Sequence, residues 1–137
     1  MTAALGLSQM KKVESLIGMR RSDAEYYEHQ LRDLVPSCHL LIPPRNYRHV
    51  YQLFSVIVNQ RDALIRHLEK RGIMTKVYFS PVHRTHFYRQ VLNYTDVLPV
   101  TDQVADTIIS LPFYPGIRRE EIDEVIQGIR EFLGGSA

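Results

Sequence analysis

The chain has 137 residues, of which 45% are hydrophobic and 23% are charged, and both values are close to the average for globular proteins. They exclude a disordered or fibrous chain, and the length suits one domain with a modest core. A formal net charge of +2 is too small to indicate nucleic-acid binding. No apolar run is long enough to cross a membrane. The single cysteine, Cys38, excludes a disulfide within the chain and favours a reducing, cytoplasmic location.

The N-terminal quarter predicts one long helix. Between Ala3 and Leu34, apolar residues recur every three or four positions, as on one face of a helix. A helix of about thirty residues spans roughly 45 Å, which is longer than a small domain is wide, so we expect its first half to pack on something outside this chain. Gly18 weakens the middle of the helix and predicts a bend near Gly18–Arg21. A helical hairpin broken at Gly18 is the alternative. We therefore divide the chain into a linking helix, residues 1–34, and a small domain, residues 35–137.

The middle of the chain predicts strands on either side of a helix. Cys38–Ile42 is a short extended piece between prolines, and Val50–Val58 is the strongest strand. Because apolar residues lie on both faces of Val50–Val58, that strand should be central and covered on both sides for much of its length. A helix over Gln60–Arg71 and a strand over Met74–Phe79 follow, and Pro81 ends that strand. The order strand, helix, strand predicts a β-α-β unit, with the direction of pairing left open.

The C-terminal third predicts two further helices. Pro99 and Thr101 begin the first, which carries apolar residues as far as Ile109. A short extended segment starts at Ser110, and the last helix covers Arg118–Leu133 with one apolar face. The whole chain is therefore predicted to be α+β, with a small sheet covered by helices and a long N-terminal helix.

The loop after Pro81 is the strongest candidate for a functional site. It carries His83, Arg84, His86 and Tyr88 directly after a predicted strand, and such a loop can hold polar groups over a site. An ordinary surface loop, in which the histidine caps a backbone group, is equally consistent with these residues. His83 and His86 could suggest a metal, but no second closely spaced pair of ligands accompanies them, so no metal site is predicted.

Four segments resemble the C-terminal part of the DegT/DnrJ/StrS family of sugar aminotransferases. They correspond to a helix signature, its arginine-rich continuation, a Gly-Ile-x-Thr strand leading to a Pro-x-His loop, and a Ser-Leu-Pro-x-x-Pro turn. In this chain they are Ala3–Met10, Arg20–Tyr27, Arg71–Thr75 with Ser80–His83, and Ser110–Gly116. The four occur in the same order and spacing as in the family, and the resemblance covers essentially the whole chain.

The resemblance implies the small domain of the aspartate-aminotransferase fold, with a mostly antiparallel sheet. Family members are homodimers that use PLP to move an amino group, typically from glutamate, onto a keto sugar carried on a nucleotide. Their cofactor lysine lies on a large domain upstream of everything seen here. The lysines of this chain, none of which matches that context, are Lys11, Lys12, Lys70 and Lys76. We therefore expect that the large PLP-binding domain is absent, that this chain holds no catalytic or cofactor-binding residue and no bound PLP, and that it does not transaminate alone.

The resemblance also assigns candidate substrate contacts. His83 matches the family's loop histidine near the mouth of the active site, and Tyr78 and Ser80 are weaker candidates for contacting the sugar nucleotide. Tyr78 stands where many members have histidine, so the sugar contact differs there.

The long helix would cross between two domains in such an enzyme, so the resemblance predicts an exposed apolar strip at Leu5, Leu7 and Met10. The alternative function is a stand-alone binding or interaction module that derives from this domain and has lost catalysis. A start at Met1 inside what resembles a family helix favours truncation of a longer enzyme over such a module. Neither nucleic acid nor a membrane is an expected partner.

Overall fold

The structure is a computed structural model that describes residues 2–44 and 46–135. Its helices and strands are, in chain order, α1 (Thr2–Met10), α2 (Val13–Leu31), β1 (His39–Leu40), β2 (Phe54–Ile57), α3 (Arg61–Lys70), α4 (Pro99–Thr107), β3 (Ile108–Leu111) and α5 (Arg119–Gly134). Short 3₁₀ turns cover Arg32–Leu34 and Val82–Arg84, and a single π-helical turn covers Phe87–Val91.

The strands form one antiparallel sheet in the order β1-β2-β3. His39 of β1 lies opposite Ile57 of β2, and Val56 of β2 lies opposite Ile109 of β3. β2 is therefore the central strand, as the sequence predicted, and the small antiparallel sheet with covering helices confirms the α+β fold. The predicted cover on both faces is only partly present, because Phe54 and Val56 are buried whereas Ser55 and Ile57 are half-buried.

Two predicted strands were too long. The central strand begins at Phe54 and not at Val50, because Tyr51 has a positive φ of 47° that turns the backbone out of the extended conformation. Between Met74 and Phe79 only Lys76 pairs with a strand, in a single antiparallel bridge to Ser110 of β3. The side chain of Met74 is 71% exposed, so little burial supports a longer ladder there. The predicted β-α-β unit is therefore wrong in its last element, which lies beside β3 and not beside β2.

The helix predicted to begin at Pro99 ends earlier than expected, at Thr107. Ile108 and Ile109 belong to β3, where Ile109 is fully buried opposite Val56. By contrast, α5 matches its prediction closely. Its buried side chains are Ile122, Val125, Ile126 and Ile129.

The core lies where α2, α3 and α5 meet the sheet, and α5 packs against both of the other helices. Tyr27 of α2 connects that helix to the sheet. Its side chain is fully buried, its ring stacks on Phe54 of β2 with 4.8 Å between centroids, and its hydroxyl donates to the Pro112 carbonyl (3.0 Å). The largest of the other fully buried side chains are Leu31, Leu64, Leu68, Ile109, Ile122 and Ile129. The second half of the long helical region is thus part of the core.

The N-terminal helical region is interrupted at Lys11–Lys12 and not near Gly18. The Lys12 N–H donates to the Gln9 carbonyl (2.9 Å), and this i to i−3 bond tightens the end of α1. Gly18 lies inside α2, which is helical from Val13 to Leu31. The local cost of a glycine is small beside the packing of Tyr27 and Leu31, which holds the second half of α2 in place.

Replacing Gly18 with Ala is expected to raise the free energy of unfolding by about 0.5–1 kcal/mol, because alanine lowers the backbone entropy of the unfolded chain. A Cβ at Gly18 meets no heavy atom within 4 Å. Gly72→Ala is the matched control. It also has open space, but its φ of +77° disfavours any side chain, so it should lower stability. Urea denaturation of both variants makes the comparison, and equal shifts in the same direction would contradict it.

Candidate functional site

The candidate site lies in residues 77–98, between the Lys76 bridge and α4. We name this segment the His83 loop. After Pro81 the backbone turns through Val82–Arg84. The Arg84 N–H donates to the Pro81 carbonyl (2.9 Å), and the Thr85 hydroxyl donates to the Val82 carbonyl (2.7 Å). These local bonds shape the turn and bring His83 and Arg84 against α4.

A cluster of charged and polar side chains joins this turn to α4. The Nε2 atom of His83 lies 2.9 Å from Oδ1 of Asp102, and Nε of Arg84 donates to the same oxygen (2.5 Å). Arg84 also donates through both terminal nitrogens to Asp106, at 2.6 and 3.1 Å. We name His83, Arg84, Asp102 and Asp106 the loop anchor. Its bidentate arginine–carboxylate contact fixes geometry more tightly than a single hydrogen bond does.

The loop anchor holds both carboxylates in the ionised form. The hydrogen bond with His83, followed by that with Arg84, lowers the pKa of Asp102 below its usual value of 3.8. The hydrogen bonds from Arg84 lower the pKa of Asp106, and both carboxylates raise the pKa of the Arg84 guanidinium. At neutral pH, therefore, Asp102 only accepts hydrogen bonds.

The predicted site residues are adjacent in sequence but differ in their surroundings. His83 is only 5% exposed and lies in the loop anchor. Tyr78 and Ser80 are exposed, and the Tyr78 ring lies 6.0 Å from that of Phe79. Within the described part of the chain, no hydrogen bond joins Tyr78 or Ser80 to His83. Their roles in binding a substrate stay predictions. His86, the other member of the His-x-x-His pair, is also exposed and lies outside the loop anchor.

The sequence analysis missed Asp102 and Asp106. Both lie on α4, and their spacing of four places them on one helix face. That spacing could have marked an acidic face on α4. Nothing in the sequence, however, connects this face with a histidine that lies 19 residues earlier.

The predicted exposed apolar strip is confirmed. Leu5, Leu7 and Met10 of α1 are 64%, 65% and 65% exposed. A cleft of about 380 Å³ lies beyond the strip, at the start of α2. Its lining residues are Val13, Leu16, Ile17, Arg20, Val50 and Pro115. Exposed apolar side chains of this kind are typical of a surface that contacts another part of a protein.

Two kinds of feature are absent from residues 2–44 and 46–135. No three side chains of the His, Cys, Asp or Glu type come together there in an arrangement that could hold a metal ion. None of the helices in those ranges combines the length and the apolar character needed to span a lipid bilayer.

The chain belongs to the DegT/DnrJ/EryC1/StrS aminotransferase family, whose model matches residues 1–130. Solved structures agree with this assignment. The chain is 30% identical to DesV of S. venezuelae, with a TM-score of 0.88 over 96% of this chain and 35% of that one. It is 26% identical to PseC of Helicobacter pylori, with a TM-score of 0.86 over 96% of this chain and 36% of that one.

A DegT DnrJ EryC1 StrS aminotransferase from Brucella abortus is also similar, at 26% identity and a TM-score of 0.83, over 93% of this chain and 34% of that one. The chain thus spans about a third of the length of the solved structures it matches. These matches confirm the resemblance that the four sequence segments carried, together with the fold of the aminotransferase small domain.

Enzymes of this family depend on PLP, and the surroundings of the four lysines of this chain do not fit a Schiff-base lysine. A lysine that forms a Schiff base is usually desolvated or placed next to another cation, which lowers its pKa. Lys11, Lys12, Lys70 and Lys76 are all exposed. Lys11 and Lys12 lie in the turn between α1 and α2, and Lys76 lies at the edge of the sheet through its backbone pairing with Ser110. No step of PLP chemistry is therefore assigned to these lysines.

Proposed function

We propose that this chain is the small C-terminal domain of a PLP-dependent aminotransferase that transfers an amino group from an amino acid, glutamate, to a keto sugar carried on a nucleotide. The observation that carries the proposal is the family match over residues 1–130 in a chain that covers about a third of the solved aminotransferases. One of these, PseC, is described as an aminotransferase involved in the biosynthesis of pseudoaminic acid, which supports a sugar as amino acceptor.

In this proposal a large domain outside the chain supplies the PLP lysine, and PLP when bound supplies the electron sink for the transfer. The exposed strip of Leu5, Leu7 and Met10 packs against that domain, and the whole protein works as a cytoplasmic homodimer. The His83 loop then lies at the mouth of the active site, where His83, Tyr78 and Ser80 contact the sugar nucleotide. The loop anchor supports this role because it fixes the loop firmly to α4.

The function is tested on the native protein, captured from source cells with an antibody against this chain. The expected protein has a mass well above 16.0 kDa and transfers the amino group of glutamate to a nucleotide-linked keto sugar only when PLP is present. A native protein of 16.0 kDa without transfer would overturn the proposal and favour the stand-alone module.

Replacing His83 with Ala in the intact enzyme is expected to raise KM for the keto sugar about 5- to 10-fold, which corresponds to the loss of one hydrogen bond of about 1–1.5 kcal/mol. The kcat value should change less than KM. His29→Ala, on an exposed position of α2, is the control and should leave both constants unchanged. Unchanged kinetics in a folded His83→Ala enzyme would remove His83 from substrate binding.

A further inference from the structure

The pairing of His83 with Asp102 determines which ring nitrogen carries the proton. Nε2 of His83 lies 2.9 Å from Oδ1 of Asp102, and the His83 side chain is only 5% exposed. An ionised carboxylate has no proton to give, so the hydrogen bond forms only when Nε2 of His83 is protonated. The neutral imidazole carries one proton, and Nδ1 is therefore left as an acceptor with a free lone pair.

Nδ1 of His83 takes no part in the hydrogen bond with Asp102, which uses Nε2. Within the described residues, the buried side-chain atoms that lack a hydrogen-bond partner are His67 Nε2 and Thr75 Oγ1. Among the described residues, the side-chain hydrogen bond of His83 is made by Nε2, with Asp102. A ligand group that reaches Nδ1 of neutral His83 would therefore meet a nitrogen that accepts a hydrogen bond and does not donate one.

We propose that Asp102 is a positioning residue that fixes neutral His83 as the Nε2–H tautomer, so that Nδ1 accepts a hydrogen bond from a hydroxyl or amino group of the bound ligand. The ligand part of this inference rests on the proposed function, and the tautomer part does not. The consequence is specific: His83 selects a ligand that offers a hydrogen at this point, and neutral His83 does not donate to the keto oxygen.

Other charges around His83 leave this assignment unchanged. Arg84 shares Oδ1 of Asp102 with His83, and its guanidinium is a donor only. Asp106 binds the far end of Arg84 and lies outside the hydrogen bond of His83. Asp106 therefore provides a matched control, because its replacement disturbs Arg84 but spares the Asp102–His83 pair.

The tautomer is tested by ¹H–¹⁵N NMR of the 137-residue chain labelled at histidine, at a pH where His83 is neutral. The expected spectrum has a downfield proton on Nε2 of His83 that exchanges slowly with water, and this signal disappears in His83→Ala. Asp102→Ala should abolish the slow exchange, whereas Asp106→Asn should retain it. A proton on Nδ1 in the wild-type chain would overturn the inference without any variant. A slow Nε2 proton that survives in Asp102→Ala, or that is lost equally in Asp106→Asn, would overturn it too.

The ligand part is tested by the kinetics of the intact enzyme. Asp102→Ala should raise KM for the keto sugar about 5- to 10-fold with a smaller effect on kcat, and His29→Ala should alter neither constant. A slowly exchanging Nε2 proton in the wild-type chain, together with an unchanged KM in Asp102→Ala, would overturn the ligand contact. Absence of amino transfer by the wild-type native protein would instead refute the proposed function and the ligand contact together, and the tautomer would still be decided by NMR.

Discussion

Replacing Tyr27 with Ala is expected to lower the free energy of unfolding by about 3–5 kcal/mol, the range for removal of a large buried aromatic side chain. Tyr27 is fully buried, stacks on Phe54 and donates to the Pro112 carbonyl, so the change leaves a cavity and an unpaired carbonyl. Burial raises the pKa of Tyr27, which keeps the hydroxyl protonated and available as a donor. Domains of this size have total stabilities of about 5–15 kcal/mol, so the expected loss is a large fraction of the stability of the fold.

Two further variants separate the contributions of Tyr27. Tyr27→Phe keeps the ring and loses only the hydroxyl, so it should lower stability by about 0.5–1.5 kcal/mol. Met19→Ala lies on the same helix at a side chain that is 46% exposed, and it should shift stability by less than about 0.5 kcal/mol. Urea denaturation followed by circular dichroism measures all three. A loss in Tyr27→Ala no larger than that in Met19→Ala would show that α2 is not held by this residue.

Replacing Leu68 with Ala should lower the free energy of unfolding by about 2–5 kcal/mol, because Leu68 is fully buried between α3 and α5. Leu5→Ala is the matched control, since Leu5 is 64% exposed on α1 and should cost less than about 0.5 kcal/mol in the isolated chain.

Gly128 of α5 allows a second test of the packing between Leu68 and α5. A Cβ on Gly128 would lie 2.7 Å from Cδ2 of Leu68, so Gly128→Ala forces the leucine to move in the wild-type chain. In the Leu68→Ala background that conflict is gone, the added methyl fills part of the cavity, and alanine is the better helix former. Gly128→Ala should therefore recover part of the stability lost in Leu68→Ala. Strict additivity of the two changes would contradict the close approach of α3 and α5.

The parts of the fold that the sequence predicted are those governed by local pattern. The apolar face of α5 and the central position of β2 follow from periodicity and strand composition. The exposed strip on α1 was predicted from the family resemblance. The interruption of the N-terminal helix was placed at Gly18 on propensity, whereas packing of Tyr27 and Leu31 keeps α2 continuous through that glycine.

The candidate site was predicted only in part. His83 was singled out by its position after a predicted strand and a proline, and by the resemblance. Its partner Asp102 depends on how the His83 loop returns to α4, which is tertiary geometry and leaves no periodic signal. For the same reason the sequence does not indicate that His83 is buried whereas Tyr78 is exposed.

The two outer edges of the sheet determine how copies of this domain can associate. β1 has only two residues, and the free side of β3 is met by Lys76 through a single bridge. Short edges of this kind give another chain little backbone to pair with, and lysine is a residue that discourages edge-to-edge addition. Both edges therefore disfavour association of copies by extension of the sheet into an amyloid-like ladder.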